Sequence, residues 1–224
     1  IGIPLITIII TYFLVRNLPD AYNSKSRIAT GIVDDSQQSL DKSNKQESEI
    51  NQQFNNLIQM MQLKKMVDQV SYQLIIHDLT GKDTFKGESK LIKQLNTNAK
   101  NHALVVYDKK YREMSELTLY DKDQNGLNEV LKSMGYDEDA IRSKLAVYRV
   151  NNSDYIDVTF ESENPRLSAF VVNTLCTEFI RYYDSVKKAS QDKTVDFLEK
   201  LLQQKYAAMN NKISELKAYK IQNH

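Results

Sequence analysis

From residue 165 to residue 224 no glycine and no further proline interrupts the chain. A run of that length is far beyond an ordinary globular helix. Asn164-Pro165 opens it with suitable chemistry: Asn accepts a bond from an unpaired first-turn N–H, and Pro at the first helical position gives up no intrahelical bond. Leu167, Phe170, Val171, Leu175, Phe179 and Tyr183 recur at helical spacing and are expected to pack on a sheet. Further on the apolar stripe narrows to Val195, Leu198, Leu202, Tyr206, Met209, Ile213 and Leu216. Steps of three and four residues suit a coiled-coil seam, so this part of the helix needs a partner helix. The last residues, ELKAYKIQNH, carry no glycine or proline stop, and the helix is expected to continue past residue 224.

The opposite end constrains the chain differently. Residues 1–15 are apolar except for Gly2, Pro4, Thr7 and Thr11, and Arg16 closes the run. A spanning helix takes about 20 apolar residues, so residues 1–17 read as the exit half of a transmembrane helix whose start is missing. A signal peptide would meet a small-residue cleavage site where VRNLPDAY stands, and a buried core helix is the other rival. Arg16, Lys25 and Arg27 show one flank only, which leaves the orientation open.

Between these ends lies a foldable α/β-patterned body over 18–190, in a chain that is 41% hydrophobic and 26% charged. Residues 26–33 form a strand after the helix-breaking Leu18-Pro19, and the polar tract 34–53 is a loop or a solvated helix start. Helices are expected over 54–79, with Gly81 as the stop, over 89–101 and over 125–134. KLAVYRV (144–150), the turn NNSD and strand 155–161 make a hairpin. Its second strand turns Ile156, Val158 and Phe160 to one face and Tyr155, Asp157, Thr159 and Glu161 to the other. The expected fold is therefore α+β: a transmembrane helix, a small mixed α/β domain, and a long protruding coiled-coil helix starting over 191–224.

Little in the sequence points to chemistry. Asp121, Asp123, Asn125 and Gly126 match the first half of a calcium loop, but the position that needs a bidentate Glu is Lys132. An acidic turn capping the next helix is the preferred reading. His77, His102 and His224 are scattered without metal-ligand spacing, no G-x-S-x-G or phosphate loop is present, and the six glycines are spread singly. No carboxylate stands in an evidently apolar setting. Cys176 falls at an apolar helical position and reads as a small core residue, as do the methionines Met60, Met61 and Met66. Thirteen tyrosines read as amphipathic packing residues rather than a sugar platform. Thirty basic residues against twenty-nine acidic ones leave no basic footprint for nucleic acid. No catalytic, cofactor-binding or metal residue is assigned, and this segment is not expected to be an enzyme.

The order of elements resembles the polysaccharide co-polymerases, the Wzz-type chain-length determinants and GumC/Wzc-like exopolysaccharide export proteins. The most specific match is IDVTFESENPRLSAFVVNTLCTEFIRYY, where the family's strand, Asp-Pro-like step, Ala and Asn fall on Asn164-Pro165, Ala169 and Asn173, followed by Phe179 and Phe197-Leu198. LPDAYNSKSRIATGIV resembles the family's first periplasmic strand, with Tyr22, Ser24 and Ile28 in matching places. Asn164 stands where Asp is commoner, and the tract 34–53 is longer than usual. The resemblance covers nearly the whole chain. It implies an inner-membrane protein with its bulk in the periplasm, forming a ring-like homo-oligomer that regulates polysaccharide chain length or export without glycosyl chemistry. It further implies as partners a polysaccharide polymerase, an outer-membrane export channel and the lipid-linked or nascent polysaccharide, with a return helix, and in some members a tyrosine-kinase domain, beyond residue 224. The alternative from another class is a periplasmic sensory ectodomain of a membrane receptor.

Overall fold

The structure, a computed structural model, describes residues 7, 10–12, 20–32, 44–81 and 83–222. Its elements run β1 (Tyr22–Ala29), α1 (Asn44–Met61), α2 (Lys64–Thr80), α3 (Lys90–Gln94), α4 (Thr97–Arg112), α5 (Lys122–Met134), α6 (Glu138–Arg142), β2 (Leu145–Arg149), β3 (Tyr155–Ser162) and α7 (Pro165–Gln222). The architecture is α+β with a long C-terminal helix. Two units divide between Phe179 and Ile180.

The expected transmembrane helix over 1–17 has to be corrected. Among the described residues no helix is long and apolar enough to cross a membrane. Of the leader only residues 7 and 10–12 are described, all helical and exposed. The remainder of that segment lies outside the described residues, as do residue 33 of the expected strand and 34–43 of the polar tract, whose last part is helical from Asn44.

In the first unit, α2 is the central element. It is buried on nearly all sides although about half of its sequence KKMVDQVSYQLIIHDLT is polar, and Met66, Val67, Val70, Tyr72, Leu74 and Ile75 are each at most 1% exposed. It contacts α1, α4, α5 and α6. The single helix expected over 54–79 is two helices, because Leu63 turns to an extended ψ of 143° and restarts the chain as α2. Met61 and Met66 on either side of the break are fully buried core filler. Gly81 does stop α2, by close approach rather than by a left-handed turn. A Cβ there would lie 2.8 Å from the His77 carbonyl oxygen, which the Gly81 N–H itself bonds.

The helix expected over 89–101 is likewise two. Ser89 caps α3 by accepting from Ile92 N, and Asn96 caps α4 by accepting from Ala99 N, each satisfying a donor that a helix start leaves free. Asp121 caps α5, which begins at Lys122, three residues before the expected start. Gly135, at φ 62°, ends α5 in a Schellman turn, with Tyr136 N bonding Leu131 O and Gly135 N bonding Lys132 O.

The three strands make one antiparallel sheet in the order β1-β3-β2. Ile156, Val158 and Phe160 of the central strand face the core, at no more than 4% exposure. Beside them β1 contributes Ser24 and Ser26, partners of Phe160 and Val158. α7 covers this face: Ser168 Oγ meets Ser24 Oγ at 2.7 Å, and Val171, Val172, Leu175 and Cys176 are buried. Burial pushes the Cys176 thiol up, against a hydrogen bond with Ser26, as befits a core residue rather than a reactive one.

The opposite face carries Asp157, only 1% exposed. It accepts from Arg27 Nε at 2.6 Å and from the Arg27 terminal nitrogen at 3.1 Å, and pairs with Lys25. Arg27 is its direct cross-strand neighbour. The Arg27 hydrogen bonds, reinforced by Lys25, hold the Asp157 carboxyl below its usual range despite burial. A pKa lowered on folding gives stability that is present above the unfolded value of about 4 and is lost as pH falls through the folded value. Asp157→Asn is therefore expected to melt below the wild type at neutral pH, with the gap beginning to close near about pH 4 and vanishing only as pH falls through the lowered folded value. Circular dichroism melts across pH check this, and a gap that stays constant into acid would contradict it.

Candidate functional site

The best-built constellation surrounds residues 83–87. Asn164 Oδ1 accepts from Arg166 N (2.9 Å) and Leu167 N (3.4 Å), capping α7 as the sequence implies, and this leaves Nδ2 to donate to Phe85 O at 2.9 Å. Arg166 pairs with Asp83 and lies 5.9 Å from the Phe85 ring centre. From the other side Asp78, at the end of α2, accepts from Phe85 N (2.9 Å), Lys86 N (3.3 Å) and Tyr136 OH (2.5 Å). The His77 ring stacks on Phe85 with centroids 4.1 Å apart, and Phe170 closes the cluster 5.0 Å from Phe85. One short segment is thus clamped by α2, by the turn after α5 and by the start of α7.

Asn and Asp are not equivalent in this clamp. Asn164→Asp keeps the cap and adds negative charge at a helix N-terminus, a gain of about 0.3–1 kcal/mol. It also replaces the donor facing Phe85 O by a second acceptor, a loss of about 1–3 kcal/mol. The expected net result is a destabilisation of about 1 kcal/mol by urea unfolding. A variant as stable as the wild type would show that the Asn164–Phe85 bond carries no weight.

Beside the clamp opens a cleft of about 570 Å³, a size typical of small-molecule sites. Leu74, Tyr136, Ile141, Phe160 and Leu167 present core side chains to it, while Lys86 and Lys144 supply positive charge and Glu163 negative charge. Lys86 Nζ donates to Met134 O at 2.8 Å and Gly135 O at 3.4 Å, the carbonyls at the end of α5, and lies 4.8 Å from the Tyr136 ring centre. Burial, with Lys144 adding to it, pushes the Lys86 amine below the usual lysine range, against the opposing pull of Asp78, Glu163 and Asp137.

A second cleft of about 520 Å³ is lined by Lys64, Lys132 and several carboxylates, including Asp68, Glu116 and Asp139. Burial holds Asp68 above the ordinary carboxylate range, while its ion pair with Lys64 (2.6 Å) pulls the other way.

The family-motif residues do not converge on one point. Asn164 and Pro165 start α7 at the clamp, and Tyr22 begins β1 opposite Ser162. Asn173 is exposed and Ala169 half-buried. The α7 residue packed against the sheet here is Ser168, fully buried. α7 presents the neighbouring position to β1 because the Ser168–Ser24 bond fixes its rotation.

Asp121, Asp123, Asn125 and Gly126 form the cap and first turns of α5 rather than a calcium loop, with Asn125 N bonding Asp121 O at 2.8 Å. Among the described residues no three His, Cys, Asp or Glu gather as a metal would need. His77 bonds Asp78 and His102 bonds Asp123.

The sequence reading missed the buried polar groups. Asp68, Asp78, Asp157 and Glu178 are each less than 8% exposed, and Glu178 accepts from Tyr111 OH at 2.6 Å. Asp68 and Asp78 are buried because α2 is enclosed on nearly all sides, and Asp157 stands on the strand face that alternation assigns to solvent, so no local pattern marked them.

The second unit is helix throughout its described residues, to Gln222. Val195, Leu198, Leu202, Tyr206, Met209, Ile213 and Leu216 are 42–56% exposed. The chain matches no protein-family model, no curated protein and no solved structure.

Proposed function

We propose that this chain is an assembly protein of the polysaccharide co-polymerase kind. It forms a homo-oligomer in the bacterial periplasm that governs the chain length or export of a surface or exopolysaccharide, alongside a polymerase and an outer-membrane channel, without itself making glycosidic bonds. The observation that carries the reading is the apolar stripe along 195–216, whose side chains are about half exposed. Full burial of such a side chain is worth about 1.5–3 kcal/mol. Covering the open halves of the seven side chains on both helices of a pair therefore yields roughly 10–20 kcal/mol, against a cost of about 4–15 kcal/mol for bringing two chains together. Pairing of copies along the stripe is therefore favoured, and repeated head-to-tail contacts between identical bodies can close such an assembly into a ring.

The test is made in the producing cell. Loss of the protein, or Met209→Asp combined with Leu216→Asp, should shift the length distribution or the exported amount of polysaccharide and leave sugar-nucleotide pools unchanged. An unaltered polymer profile would overturn the proposal in favour of the sensory alternative.

A further inference from the structure

The cleft beside the clamp combines features that the assembly role leaves unused. Its floor consists of core side chains, with Leu74, Tyr136, Ile141, Phe160 and Leu167 each no more than 4% exposed. It is therefore preformed by the fold rather than by mobile surface groups. Two ammonium groups face it. Lys86 Nζ is tethered to the Met134 and Gly135 carbonyls, which are neutral and use two of its three N–H bonds. Among the described residues neither Lys86 nor Lys144 has a carboxylate within ion-pair distance, although Glu163 also lines the cleft. Asp78, behind Tyr136, is already occupied by three donors. The positive charge of Lys144 disfavours that of the half-buried Lys86 across the cleft, and an anion between two like charges removes such a cost. An apolar floor under a cationic rim selects a ligand with both characters.

We infer that the cleft lined by Lys86, Lys144 and Tyr136 binds a small amphipathic anion, an apolar body of a few carbons bearing a carboxylate or phosphate head, with Lys86 and Lys144 holding the head. The inference is independent of the assembly role.

Isothermal titration of the full chain with hexyl phosphate, hexanoate and hexanol tests it, and the first two probes separate the two kinds of head. At least one of the anions is expected to bind saturably with one site per chain, and hexanol is not. Lys144→Glu, at an exposed position, should weaken that binding about tenfold or more while leaving the melting temperature unchanged. Lys86→Gln should weaken it similarly. Absence of binding by both anions, equal binding of hexanol, or unchanged affinity in Lys144→Glu would overturn the inference.

Discussion

Replacing Asp78 by alanine is expected to destabilise the first unit by about 3 kcal/mol or more. The side chain is 7% exposed and serves Phe85 N, Lys86 N and Tyr136 OH at once, with His77 Nδ1 3.1 Å away. Truncation leaves two backbone donors and a buried phenol without their acceptor, and each such group costs about 1–3 kcal/mol when desolvated. These losses overlap, because the segment can relax once Asp78 is gone, so the sum is not simply additive. Tyr136→Phe removes one of the three donors and should cost about 1 kcal/mol. Urea unfolding of the two variants gives the comparison. Equal and small losses would mean that residues 83–87 are held by Asn164 and Arg166 alone.

The second large effect concerns the helix beyond Phe179. Met209→Asp with Leu216→Asp places two carboxylates in the stripe, where a covering helix would have to desolvate them at several kcal/mol each. Self-association should weaken at least about a hundredfold. Both residues are about half exposed and belong to the second unit, so the melting temperature of the first unit should not move. A mass equal to the wild type's under the same conditions would show that the stripe is not the seam.

How far the sequence reveals this fold depends on which pattern a segment obeys. The hairpin 145–162 and the Asn164-Pro165 start could be read directly, because alternation and capping are local rules that tertiary contacts here leave intact. β1 was expected four residues late. In Tyr22–Arg27 the core-facing positions are Ser24 and Ser26, which meet Ser168 and Cys176 of α7, so no apolar alternation marks the strand. The break between α1 and α2 has no glycine, no proline and no side-chain cap at Leu63. Its cause is packing, since α1 needs one buried face and α2 needs nearly all of its own. The split at Asn96 was readable in principle, as an Asn with Ala99 three residues on is an ordinary helix start, but the surrounding helical pattern concealed it. The clamp was half visible: the cap function of Asn164 follows from its position, whereas its bond to Phe85, far away along the chain, does not. Asp78 stood in IIHDLT with no local sign that three donors would converge on it.

The exposed stripe of 195–216 is expected to join copies of this chain. Sedimentation equilibrium of the wild-type protein over a wide concentration range tests this most directly. The expected result is a single species whose mass is an integral multiple of 25.9 kDa, reverting to the monomer in the Met209→Asp, Leu216→Asp variant. A wild-type mass of 25.9 kDa at every concentration would contradict it.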